Sequence, residues 1–191
     1  MSLLFIHVPH TCGRLLNRIL NTKCDSYHRI HNELDYTSNK FENVYIILRE
    51  PLERCIAEYT HYNNRYQIQK VKVNNMNIPD ISYGSIVSYY SNECTRNIAC
   101  KMLLQKPFNC EITDNDYENI LKMKFVYDIY IKNIKLSNLD NIYNNISDEM
   151  NNPQYGVYRR TKDYQTVTEE EKNFIRQRNE YDIKLFEYCT T

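Results

Sequence analysis

The chain has 191 residues, which predicts a single domain over residues 1–191 with a substantial core. Lys and Arg number 24, as do Asp and Glu, so the formal net charge is zero. That balance excludes a broad basic face for nucleic acid or acidic lipid, and any anion site has to be local.

Leu3 to Val8 is an apolar run of strand length and reads as a buried strand. Pro9 and His10 interrupt it after a handful of residues, and it has neither a basic leader nor a small-residue cleavage site, so it is not read as a secretory signal. No later segment is long enough to span a membrane, which predicts a soluble protein of cytoplasmic type. Pro9 to Gly13 reads as a tight turn, and Arg14 to Leu20 as a helix with Leu15, Leu16, Ile19 and Leu20 at helical spacing. A strand that turns straight into a helix directs backbone N–H groups and the positive end of the helix dipole at one spot, where phosphate-like anions bind. On spacing alone, an ordinary strand–turn–helix joint is an equal alternative.

Cys24 to Ile30 is a candidate second strand, Thr37 to Asn43 a loop and Val44 to Leu48 a buried strand. Arg49-Glu50-Pro51 closes that strand and opens a helix, with Pro at the first helical position where its missing N–H costs nothing. Leu52, Cys55, Ile56 and Tyr59 form its apolar face. Asn63 to Pro79 reads as a polar surface excursion. Ile86 to Tyr90, Asn97 to Leu104 and Asp114 to Lys122 read as helices, the last begun by acidic residues suited to its positive end. Phe125 to Ile131 is a strand, Leu136 to Ile146 a helix and Asn151 to Gln165 a basic loop. A capping box, Thr168 to Glu171, starts a final helix that turns Phe174, Ile175, Tyr181, Leu185 and Tyr188 inward. Strands alternating with helices predict an α/β fold with a central, mostly parallel sheet, whose ligands sit at the carboxyl ends of the strands. Both the Pro9–Arg14 turn and Arg49 fall there.

Seven cysteines are scattered, odd in number and free of CxxC pairs, so reduced thiols filling the core are the expectation, with a disulfide between some pair as the alternative, and no metal site is expected. His7 alternates into the sheet as a core histidine, and His61 reads as a surface residue.

The turn lacks the GxxxxGK[ST] loop of nucleotide kinases and GTPases. Phe5-Ile6-His7-Val8-Pro9-His10-Thr11-Cys12-Gly13-Arg14 instead resembles the phosphosulfate loop of sulfotransferases, of the form FIHIPKTGGTS. Ile47 to Tyr59, ILREPLERCIAEY, resembles that family's LRDPVERFLSEY segment, which grips the 3′-phosphate of the donor. Asn97 to Leu103 is similar to its NxQTRxL helix, and Asn179, Asp182, Leu185 and Phe186 to its closing N-x-x-D-x-x-L-[YF] pattern. His28 and His31 followed by Leu34-Asp35-Tyr36 resemble the HxH and LDF of the heparan/dermatan uronyl 2-O type, and Tyr158-Arg159-Arg160-Thr161 resembles an LRKT stretch.

The resemblance implies a P-loop-like three-layer fold and transfer of a sulfuryl group from 3′-phosphoadenosine-5′-phosphosulfate (PAPS), without a metal, to a carbohydrate or small hydroxyl acceptor. It implies that Pro9, His10, Thr11, Cys12, Gly13, Arg14 and Leu15 cradle the phosphosulfate. Arg49 and Ala57 stand where the 3′-phosphate is held, and Arg159, Arg160 and Thr161 where a loop closes on the nucleotide. His31, or alternatively His28, would be the base, and His10 or Arg14 would sit at the leaving group. A solvated basic turn is an even alternative for Arg159 and Arg160.

The departures are as informative as the matches. His10 replaces a Lys, Arg14 a Ser or Thr, and Ala57 a Ser, while Ala99 and Lys101 replace Gln and Arg. Histidine is charged only part of the time near neutral pH unless a bound anion raises its pKa. A fold that binds nucleotide or glycan without turnover is therefore the second expectation.

Overall fold

The computed structural model describes residues 2–23, 26–30, 41–69, 84–130, 136–143, 146–150 and 166–191. Strand β1 (Ser2–Ile6) lies between β2 (Ser26–Ile30) and β3 (Asn43–Leu48), with β4 (Val126–Ile129) beyond β3. All three pairings are parallel; Leu4 stands opposite both His28 and Val44, and Tyr45 opposite Val126.

Parallel strands covered on both faces need apolar side chains at every position, which is what the runs LLFI and VYIIL supply. Leu3, Phe5, Tyr45 and Ile47 pack against α1 (Gly13–Lys23), α6 (Ser137–Ile142) and α7 (Ile146–Met150). Leu4, Ile6, Val44, Ile46 and Leu48 point the other way, against α4 (Ile98–Leu104), α5 (Asp114–Lys122) and α9 (Glu180–Thr190). The fold is thus α/β, a parallel sheet flanked by helices. A third cluster, with Cys55, Tyr59, Tyr89, Tyr90 and Ile175, joins α2 (Pro51–Gln69), α3 (Ile86–Ser91) and α8 (Glu169–Arg178).

Three expected elements differ. Helix α2 runs on to Gln69, so Asn63 to Gln69 belongs to a helix and not to a surface excursion; the remainder of that stretch to Pro79 lies outside the described residues. The helix expected over Leu136 to Ile146 is two helices, α6 and α7. The final helix breaks at Asn179 into α8 and α9, although its capping box forms as expected, Thr168 accepting from the Glu171 amide.

The break has a physical cause. The Asn179 side chain donates to the Ile175 carbonyl, 3.0 Å, and accepts from the Asn97 amide, 3.0 Å, which turns the chain off the helical path. Asn97 in turn accepts from the amides of Tyr181 and Asp182, both 3.2 Å, and so satisfies the start of α9. Asp182 accepts from the amides of Ala99, 3.2 Å, and Cys100, 3.0 Å, and so satisfies the start of α4. The two helices cap each other in the interior, where an unpaired amide is costly. Lys101, fully buried beside them, donates to the Glu93 carboxylate and carbonyl, 2.7 Å each, and to the Phe108 carbonyl, 3.0 Å. Its ammonium is a structural anchor.

Replacing Asp182 by Ala leaves two buried amides without acceptors, and we expect a loss of about 2 to 5 kcal/mol. A urea unfolding curve measures it; a change below about 0.5 kcal/mol would mean that the caps do not matter.

Candidate functional site

The carboxyl ends of β1 and β3 meet in the middle of the sheet. Chain connectivity leaves β1 toward β2 on one side, while β3 lies on the other, so their outgoing segments diverge and form a switch point where α/β sheets bind ligands. After β1 the chain bends tightly: the Val8 amide donates to the Ile6 carbonyl, 3.2 Å, and the Thr11 hydroxyl to the Val8 carbonyl, 2.7 Å. His10 (φ 65°) and Cys12 (φ 67°) are both left-handed, which costs roughly 1–2 kcal/mol for each residue with a Cβ. The flanks hold the bend, because Val8, Leu15 and Leu16 are buried in the two sheet cores.

Gly13 opens α1. A Cβ there would meet Cδ2 of His7 at 1.7 Å, so the absent side chain is what admits the imidazole. His7 is buried and stacks on Phe5, ring centroids 5.8 Å apart and 17° from parallel. The Leu15 amide donates to the Cys12 carbonyl, 3.1 Å, and the Leu15 side chain is in the core, so Leu15 offers the cradle no donor. Helix α1 has no acidic residue in its first turn. Helix α2 starts differently: the Glu50 carboxylate accepts from the amides of Leu52, 3.1 Å, and Glu53, 2.7 Å, and occupies that N-terminus.

Arg49, 7% exposed, joins the two strand ends. Its Nη1 donates to the His10 carbonyl at 3.3 Å and its Nη2 to Glu53 Oε2 at 3.2 Å, and its guanidinium carbon lies 5.7 Å from the centre of the Tyr130 ring. Further along α2, Arg54 and Glu58 form a buried ion pair at 2.5 Å; they are 2% and 0% exposed. Tyr89 donates to the second Glu58 oxygen at 3.2 Å. One turn beyond, His61 meets His10 edge to face, ring centroids 5.2 Å apart.

Electrostatics follow from this crowding. Burial first, then His61, Arg54, Arg49 and Arg14, hold the pKa of His10 well below the usual 6.5, so its imidazole is neutral at pH 7. Burial pushes the Cys12 thiol up to about 11 against the opposing pull of Arg49, so it is no thiolate nucleophile at neutral pH.

Of the residues expected to hold the donor, the structure brings Pro9, His10, Thr11, Cys12, Gly13, Arg14 and Arg49 to one end of the sheet. Pro9 and Thr11 are buried, His10 and Cys12 half-buried, and Arg14 exposed. Ala57 is buried on α2 and has no side-chain hydrogen bond to give. His28 falls within β2, opposite Leu4. His31, Arg159, Arg160 and Thr161 lie outside the described residues.

The sequence reading missed the polar face of α2. Arg54, Glu58 and His61 recur at i, i+4 and i+7, the same spacing that marks an apolar stripe. That spacing was the available signal. Charged residues are ordinarily assigned outward, and only the packing shows that this stripe is turned in, with His61 half-buried against the turn and not loose on the surface. No protein-family model, curated protein or solved structure matches the chain.

Two predictions concern the turn. Gly13→Ala forces the His7 ring out of its place and is expected to cost about 2 kcal/mol or more in unfolding free energy, with His7→Ala/Gly13→Ala recovering part of the loss in a double-mutant cycle. Because the pKa of His10 is depressed in the folded chain, the unfolded chain binds its proton more readily. The contribution of His10 to stability is therefore full above pH 6.5 and declines as the pH falls from there toward the folded pKa. His10→Asn should flatten that part of a stability–pH curve, and an unchanged slope would refute the assignment.

Proposed function

We propose that this chain is a P-loop-like sulfotransferase that moves a sulfuryl group from PAPS to a hydroxyl of a carbohydrate or related acceptor. A single observation supports the reading: Arg49 bonds the His10 carbonyl, so the two segments that resemble donor-binding motifs are adjacent at a switch point.

Sulfuryl transfer, like phosphoryl transfer, passes through a loose, in-line transition state with charge growing on the leaving oxygen, so catalysis is largely positioning and electrostatics. Backbone N–H groups of Thr11 to Arg14 would face the sulfuryl and 5′-phosphate oxygens. Arg14 supplies a fixed charge beside them, where His10, neutral at rest, does not. Arg49 would hold the 3′-phosphate. His31, or His28, would take the proton of the acceptor hydroxyl as its oxygen bonds to sulfur. The bond from sulfur to the bridging oxygen breaks, leaving adenosine 3′,5′-bisphosphate.

A second reading, nucleotide binding without turnover, is favoured by a specific feature. Arg49 is already engaged by Glu53, and Ala57 cannot supply the hydrogen bond that a Ser would give at that position. Calorimetry with adenosine 3′,5′-bisphosphate and labelled PAPS transfer to a glycan panel separate the two. Arg49→Ala should weaken nucleotide binding by about 1.5–3 kcal/mol, roughly 10- to 150-fold. Transfer abolished by His31→Ala or His28→Ala supports the enzyme; tight binding without transfer, indifferent to both substitutions, supports the second reading. If the nucleotide does not bind, both fall.

A further inference from the structure

The imidazoles of His10 and His61 meet edge to face at 5.2 Å, one on a strained turn and the other nearly three helical turns into α2. We propose that they act together as a proton-linked clamp for a dianionic phosphosulfate or phosphate group, drawing one proton from solvent when that group binds. The inference rests on the same site as the donor reading, but it concerns how the site acquires charge.

Among the described residues, the charged groups around the pair come from α1, the end of β3 and α2. Arg14 stands on α1, Arg49 at the end of β3 against Tyr130 from the end of β4, and Glu50, Glu53, Arg54 and Glu58 on or before α2. The three carboxylates have partners of their own. Glu50 is bonded to helix amides, Glu53 to Arg49, and Glu58 to Arg54 and Tyr89. Three arginines and three carboxylates cancel among the described residues, so within that set a proton on the imidazole pair adds net positive charge. Arg54 adds a second pointer to an anion: it is 2% exposed, its charge bears on His10, and its Nε has no hydrogen-bond partner among the described residues.

In the resting site burial first, and then repulsion by His61 and the arginines, keep a proton off His10, whose pKa is accordingly depressed. An arriving dianion offsets that repulsion and favours the imidazolium, and by reciprocity the imidazolium favours the dianion. A lysine in place of His10 would hold its charge permanently. The histidine pair makes the grip conditional on a proton, so the site is strongest below neutral pH and weakens above it.

Inorganic sulfate is the probe, because its charge does not change over the range in which histidine titrates. Its binding to the intact chain is measured by calorimetry at about pH 6 and about pH 8, at constant ionic strength, in buffers of differing ionisation enthalpy. We expect about one proton taken up for each sulfate at the lower pH, and affinity falling by up to about tenfold per pH unit as the pH is raised. His10→Asn should abolish the uptake and His61→Asn diminish it, with circular dichroism confirming that each variant is folded. Sulfate bound equally at both pH values with no proton exchange in the unaltered chain overturns the clamp, and so does no sulfate binding at all. Competition with adenosine 3′,5′-bisphosphate separates the two proposals. Sulfate bound with proton uptake but not displaced by the nucleotide keeps the clamp and removes the donor reading. Nucleotide bound by a chain that takes no sulfate does the reverse.

Discussion

The candidate site depends on the parallel pairing of β1 with β3. Their register aligns Ile6, the last residue of β1, with Ile46, and β3 runs two residues further to Leu48. One leaves through a bend with two left-handed residues and the other through Arg49, which reaches back to bond the bend. Unsupported, such a bend would relax. Buried side chains on both flanks and the seat that Gly13 leaves for the His7 ring hold it in place.

Helix α2 carries the burden of charge. Its Arg54–Glu58 pair is out of water, where desolvation takes back much of what the attraction supplies, and breaking such a pair commonly costs 3–5 kcal/mol. Around it Tyr89 satisfies the second Glu58 oxygen and Tyr90 donates to the Cys55 carbonyl, 2.8 Å. This network fixes the rotation of α2 about its axis, and with it the bearing of His61 on the turn. The Tyr45 hydroxyl bonds Asp128 at 2.8 Å, and the same carboxylate accepts from the amides of Asn138 and Leu139 at the start of α6, 3.0 Å each. Buried carboxylates at the ends of helices recur as the means by which this sheet is tied to its layers.

Much of the architecture was legible in the sequence because local patterns carry it. Continuous apolar runs marked β1 and β3, helical spacing marked α1, and acidic residues marked the start of α5 at Asp114. The site was legible as two motifs at two strand ends, but their contact was not, since adjacency of β1 and β3 is a property of the sheet and not of either segment. Other features were hidden for the same reason. Asn179 and Asn97 stood out in two separate motifs, but only the fold shows that Asn97, 82 positions earlier, claims the Asn179 side chain. Arg54, Glu58 and His61 look like a solvated face until α3 and the turn close over them. Leu15 was counted in the cradle because the motif extends that far, whereas its amide is used within the bend.

The mutual capping of α4 and α9 has a consequence for the order of events during synthesis. The amides of Ala99 and Cys100 receive their acceptor only from Asp182, so while the chain emerges from the ribosome α4 waits through more than eighty further residues with its first turn unsatisfied. Water serves those amides in the meantime, which keeps this side of the sheet open until the last helix arrives and locks both ends at once. Closure of the core on this side therefore waits for Asp182, however early the residues of α4 are made.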